Sequence, residues 1–177
     1  MKKIVLILLY SFVFSQTNIQ IDLDKSYLNY YGDHAAHKWS GGSNQIMGSF
    51  LYNELNPELS IVDLYIPVIS IDSKNSNRDS NMLDVIEDYF YPVVSFKSYK
   101  IQRKGNRYQI DGAMDFHGVK KEISVPVDLQ INDNMIIVES IFNIKLTDYN
   151  IKRPSLLTIK IKDTIKIKFY LVGYLRD

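Results

Sequence analysis

The chain has 177 residues, 46% of them apolar and 23% charged, with a formal net charge of +1. That size suits one domain around a single core, and so small a charge gives no bulk attraction to nucleic acid or to anionic membranes. Eight Gly and five Pro exclude collagen-like and low-complexity chains, and the absence of Cys excludes disulfides, thiolate metal sites, a Cys nucleophile and lipidation through an N-terminal Cys.

The chain opens on an address pattern. Met1-Lys2-Lys3 is a short basic head, and Ile4 to Phe14 is an apolar run of 11 residues broken only by Ser11. Val13 and Ser15 place small residues at −3 and −1 before Gln16. This predicts a secretory signal peptide over residues 1–15, a mature domain over 16–177, and a periplasmic or extracellular location. Losing Lys2 and Lys3 takes the formal charge to −1. The run is shorter than the ~20 apolar residues a membrane span needs, so no stable anchor is expected.

Period-two alternation dominates the remainder of the chain. Ile19, Ile21 and Leu23 oppose Gln20 and Asp22, and Tyr108, Ile110, Gly112, Met114 and Phe116 oppose Arg107, Gln109, Asp111 and Asp115. Ile159 and Ile161 alternate with Lys160 and Lys162, and Ile165, Ile167, Phe169 and Leu171 with Lys166, Lys168 and Tyr170. Such alternation predicts strands with one dry and one wet face. Further strands are expected at Tyr27–Tyr31, Ile46–Tyr52, Ser60–Ile69, Val93–Gln102, Lys121–Ile131 and Met135–Lys145. Lys104-Gly105-Asn106 and Asn132-Asp133-Asn134 read as hairpin turns, Gly118 as a third, and Trp39-Ser40-Gly41-Gly42-Ser43 as a flexible loop. Eight or more strands on short turns predict an all-β fold, an antiparallel barrel or a sandwich.

One segment breaks the pattern. Residues 76–88, SNRDSNMLDVIED, predict a helix of about three turns, with Ser76 and Asp79 as a capping box. Met82, Leu83 and Ile86 share one face, Val85 lies beside it, and Pro92 prevents continuation. Its apolar face suits the open end of a barrel.

RDSNMLDVIEDYFYPVVSFKS (78–98) and DGAMDFHGVKKEISVPV (111–127) carry a resemblance to the YceI-like family of secreted bacterial polyisoprenoid-binding proteins. The matching positions are Arg78, Asp79, Tyr91, Pro92, Phe96, Gly112, His117, Gly118 and Val119. Asp148, Tyr149 and Ile151 fit in the tail, and His37, Trp39 and Gly48 near the start. The sequence departs from the family pattern at Asn81, where His is common, and at Lys120, where Thr is frequent.

The resemblance implies a lipocalin-like barrel of about eight strands with one short inserted helix. It further implies an isoprenoid lipid, of quinone or polyprenyl phosphate type, in an apolar cavity, for transport or storage in the cell envelope. On that reading Phe96, Met114, Phe116, Phe142, Ile144 and Phe169 line the cavity, and Met82, Leu83 and Ile86 close one end as a lid. Alternation alone fits a filled core equally well, which would make the protein a structural or interaction module of the envelope.

The polar candidates carry two readings each. Arg78 meets a ligand head group at the mouth, or pairs with a carboxylate while Asp79 caps the helix. His117 contacts the ligand or orders its turn by a hydrogen bond. Asp33, His34 and His37 give the spacing D-H-x-x-H without a visible third ligand, so neither a metal nor a catalytic set is assigned. A hydrolase or metal enzyme using His117 with His34 or His37 is the remaining alternative. Lys160, Lys162, Lys166 and Lys168 form a basic comb that meets anionic head groups, a partner, or only water. An exposed edge strand would permit a homodimer. No phosphate loop, G-x-S-x-G or H-E-x-x-H pattern is present, so no enzyme is expected.

Overall fold

The computed structural model describes residues 16–156 and 158–175. The expected signal peptide, residues 1–15, lies outside the described residues. The strands are β1 (Gln16–Ile21), β2 (Tyr27–Asp33), β3 (Lys38–Ser43), β4 (Met47–Asn53), β5 (Ile61–Pro67), β6 (Val93–Lys104), β7 (Arg107–Phe116), β8 (Val119–Asn132), β9 (Met135–Lys145), β10 (Ser155–Leu156), β11 (Ile159–Lys160) and β12 (Thr164–Leu175). A helix, α1 (Ser76–Val85), lies between β5 and β6.

The sheet closes on itself. The order β1-β4-β5-β6-β7-β8-β9-β12 returns to β1 through Ile19 opposite Leu175 and Ile21 opposite Gly173, giving an antiparallel barrel of eight strands. The same edge of β12 also pairs with β2, from Tyr27 opposite Tyr170 to Tyr31 opposite Lys166. β1 and β2 therefore act as one interrupted strand. At the interruption the buried Ser26 hydroxyl donates to the Val172 carbonyl (3.2 Å) and accepts from the Val172 N–H (2.9 Å). A side chain thus keeps the ladder satisfied where the backbone leaves it. β3 continues the sheet from β2, and β4 continues it from β1.

β3 is the strand that glycine composition concealed. Lys38–Ser43 pairs with β2 along its whole length. A Cβ at Gly32 would fall 2.2 Å from the Trp39 ring, and one at Gly41 would fall 2.6 Å from the Tyr30 ring. These glycines are seats for cross-strand aromatic rings, as glycine–aromatic pairs in sheets commonly are. Gly48, second in β4, has φ +114, and a Cβ there would sit 2.1 Å from the Asp63 carbonyl oxygen, so only glycine fits.

α1 is shorter than the expected span, and its cap differs. Asn75, in extended conformation, is the N-cap, and its side chain accepts the Arg78 N–H at 3.0 Å. The Asp79 carboxylate reaches back to the Ser73 N–H instead (3.1 and 3.2 Å). The helix ends after Val85 because Glu87 turns left-handed (φ +50): its N–H bonds Asp84 and the next, of Asp88, bonds Leu83. That is a Schellman closure with Glu where Gly is usual.

Two apolar clusters fill most of the barrel. The lower centres on Ile136, Leu171, Ile19 and Tyr52, and the upper on Val68, Tyr149, Ile151 and Ile165. The upper end carries the β2–β3 turn, α1, the β7–β8 turn and the connection from β9 to β12. Ile136 is fully buried. Ile136→Ala should cost about 2–5 kcal/mol. Urea unfolding should show this as a lower midpoint with an unchanged slope.

Candidate functional site

The interior is not packed solid. An upper chamber of about 450 Å³ and a lower chamber of about 150 Å³ lie one above the other. Leu28, Ile66, Val94, Met114 and Phe142 belong to both walls and form a waist between them. The upper volume falls within the range of small-molecule sites, ~300–1,000 Å³.

The two chambers differ in chemistry. The lower is walled by inward strand positions such as Phe50, Tyr52, Phe96, Tyr108, Phe169 and Leu171, and among the described residues no charged side chain lines it. The upper adds polar groups from the long connections: Tyr30, His34, His37, Arg78, Asn81 and Ser155, with Trp39 among them. α1 supplies Arg78, Asn81, Met82 and Val85, and its C-cap Ile86 completes the same face. The spacing is that of one helical stripe.

Most of the candidate residues meet at these walls. Phe96 and Phe169 line the lower chamber, and Met114 and Phe142 line both. Arg78, Met82, Ile86, Phe116 and Ile144 line the upper. Leu83 and His117 line neither. Leu83 packs sideways on the upper cluster, because Met82 and Ile86 take the inward face. Sequence reasoning missed Phe50, Tyr52 and Leu171, although their alternation held the signal. It also missed Tyr30, Asn81 and Ser155, which no local pattern marks.

Among the described residues Arg78 is the one permanently cationic side chain on either wall. The expected carboxylate partner is absent: among the described residues no acidic oxygen lies within 4.0 Å of its guanidinium. Its nearest bond is a long one, Nη1 to the Ser73 carbonyl at 3.5 Å. Burial raises the Tyr30 phenol above its ordinary pKa, the Asp79 charge adds to this, and the Arg78 charge and a Trp39 hydrogen bond oppose it. Tyr30 therefore stays a neutral hydrogen-bonding group at the mouth.

Two of the three histidines, His34 and His117, are occupied by structure. His34 Nδ1 accepts the Ala36 N–H (3.1 Å), and Nε2 bonds the Ile159 carbonyl (3.0 Å). With both ring nitrogens engaged, His34 has no lone pair for a metal. Among the described residues no group of three or more His, Cys, Asp or Glu side chains could hold a metal ion.

His117 fastens the helix. It sits at φ +53 beside Gly118 at φ +68, a two-residue turn between β7 and β8 with both centres left-handed. Nδ1 bonds the Tyr149 carbonyl (2.9 Å) and Nε2 bonds Glu87 Oε2 (3.0 Å). Tyr91 packs on its ring at 4.6 Å, and a Cβ at Gly118 would strike Tyr91 at 2.4 Å. Tyr149 is buried against Phe116, and burial pushes its phenol up to about 12.

Comparison with known proteins gives this architecture its family. The sequence pattern of the YceI-like domain matches residues 19–173. The chain belongs to the YceI-like family. Protein YceI of Shigella flexneri is 28% identical over 136 residues, covering 72% of this chain and 71% of that protein. Burkholderia cenocepacia BcnA shares the fold at TM-score 0.80 and 22% identity, over 86% of this chain and 99% of that one. A polyisoprenoid binding domain from Saccharophagus degradans does so at TM-score 0.70 and 18% identity, over 92% and 100%. This YceI-like barrel is thus matched over nearly all of its described strands.

Removing the fastening should loosen the helix before the barrel. His117→Ala should speed amide exchange across residues 86–91 by about 10-fold or more, since lost hydrogen bonds to charged groups are worth ~1.5–3 kcal/mol. Exchange in β8 and β9 should stay unchanged. Mass-spectrometric hydrogen exchange reads both.

Proposed function

We propose that this protein is a non-catalytic carrier or store for a long-chain isoprenoid lipid, held with its tail in the bore and its head at the upper mouth. The observation that carries the reading is the pair of apolar chambers adjoining at one waist. The name of the Saccharophagus degradans relative, a polyisoprenoid binding domain, supports the choice of ligand class. The orientation follows from chemistry. Among the described residues the lower chamber offers no charge, while Arg78, Tyr30 and Asn81 stand at the upper one. An anionic or carbonyl head group such as a prenyl phosphate or a quinone would meet Arg78 there. Burial of the tail is favourable by ~25 cal/mol per Å² of apolar surface, so no chemistry is needed to hold it.

The length of the bore bounds the tail. From Phe116 to Tyr108 along β7 the wall descends roughly 20 Å along the barrel axis, given the ~3.4 Å strand rise and a tilt of ~40°. At roughly 1.25 Å per bond of an extended chain, that holds about sixteen chain atoms, or about four isoprene units. The signal-peptide pattern of residues 1–15 supports a place outside the cytoplasm, where water would otherwise reject such a molecule.

Extraction of the purified mature protein followed by lipid mass spectrometry tests the proposal. Stoichiometric isoprenoid is the expected result. Failure to recover any, together with failure to bind added geranylgeraniol, overturns it. Two variants dissect the bore. Met114→Trp should plug the waist, cutting geranylgeraniol affinity by about tenfold while sparing a shorter prenol; a melting curve checks that the overpacked core still folds. Arg78→Ala should weaken geranylgeranyl phosphate about 10–100-fold and leave the alcohol unchanged, as a charged hydrogen bond of ~1.5–3 kcal/mol implies.

A further inference from the structure

The connection between β9 and β12 has a feature the cavity does not explain. Its short hairpin, β10 to β11, stands at the upper mouth, where Pro154, Ser155 and Ile161 form part of the wall. Its backbone is tied to the β2–β3 turn: Ile159 O accepts from His34, and the Lys162 N–H donates to the Asp33 carbonyl. The outward side is different. Ile159 is 51% exposed, and so are Lys160 beside it in β11 and Lys152 ahead of β10. Among the described residues neither Lys152 nor Lys160 has an acidic oxygen within 4.0 Å, and nor does Arg153, although Asp163 feels its charge.

The rest of the basic comb is spent within the protein. Lys162 pairs with Asp33 at 2.7 Å, Lys166 lies over the Tyr31 ring at 4.7 Å, and Lys168 over the Tyr27 ring at 5.7 Å. Among the described residues Lys160 alone of the four forms neither an ion pair nor a ring contact; it follows the exposed Ile159 in β11, and Lys152 and Arg153 lie in the segment that leads into β10. On a mature chain of formal charge −1, this is a local cationic site, not a bulk property.

We infer that the β10–β11 hairpin is a docking finger for an anionic lipid bilayer, which it meets through Lys152, Arg153, Lys160 and Ile159. Basic side chains flanking an exposed apolar residue match the charged head groups and apolar boundary of such a surface. Preference for a bilayer over a protein rests on the carrier function proposed for the bore. A lipid that water rejects must enter and leave through a mouth pressed to a membrane, and this finger is continuous with the wall of that mouth.

Vesicle flotation of the full mature chain tests it, with phosphatidylcholine vesicles and with vesicles that also hold phosphatidylglycerol. Binding to the anionic vesicles alone, lost at high salt, is expected. K152E/K160E should lower that binding by more than about tenfold. K100E/K104E, an equal charge change lower on the barrel wall, should leave it within about twofold. Ile159→Asp should reduce what survives at moderate salt. No flotation of the wild type at low salt overturns the proposal. So does equal loss in the two double variants, which would make the attraction a matter of net charge. Lipid extraction on the same samples keeps the two readings apart. A protein that floats yet neither yields isoprenoid nor binds added geranylgeraniol retains the docking finger and refutes the carrier, whereas K152E/K160E that retains its lipid but does not float supports both.

Discussion

β12 is the strand on which the molecule closes. One of its edges pairs with β9 from Thr164 to Tyr174, and the other is shared by β2 and then β1. Closing the sheet through β1 pairs backbone polar groups that an open edge would strand, so the interior can be apolar. That condition lets a barrel hold empty apolar space, since a void lined by unpaired N–H or C=O groups would draw in water. Ser26, answering both polar groups of Val172, marks how strictly the ladder is kept where the first strand breaks.

The two ends of the barrel are built for different tasks. The lower end carries tight turns at Gly105 and Asp133 and the 54–60 connection, whose Pro57 and Ser60 line the lower chamber. The upper end is spanned by long connections, and these bring in the polar side chains of the larger chamber. α1 crosses that end held chiefly at its two extremities. Ahead of it Asp72 bridges to Gly42 of β3 and Asp79 holds Ser73; behind it Glu87 and Tyr91 grip His117. Two non-glycine residues in left-handed conformation, Glu87 and His117, meet at this clasp. Such backbone is costly and persists only where side-chain contacts over-determine it. The clasp explains why a histidine that stood out in the sequence lies off the cavity: it positions the wall and does not form it.

The site reads unevenly from sequence for a physical reason. Met114, Phe116, Phe142 and Phe169 sit on strands whose alternation points them inward, so their direction followed from period while the space they line did not. Leu83 lies beside the wall, packed on the upper cluster, because a helix face is about 100° wide and Met82 and Ile86 take the inward stripe. β3 failed because Gly41 and Gly42 read as loop, whereas Gly41 seats the Tyr30 ring of β2 and Gly32 of β2 seats Trp39 in return. Arg78 was legible as a candidate, but that it has no carboxylate partner among the described residues depends on where Ser73, Asp79 and Tyr30 come to rest.

By itself the sequence determined the strand faces, the helix and its place between β5 and β6, the family likeness and the residues that point inward. Those are local properties, set by side-chain period and by the conformations that Gly, Pro and Asn allow. Only the tertiary structure decided that the inward faces leave two chambers instead of a filled core, that the polar groups gather at one end, and which lysines remain unpaired. Each of these turns on residues distant in sequence meeting across a closed sheet, and no local pattern records the space left between them.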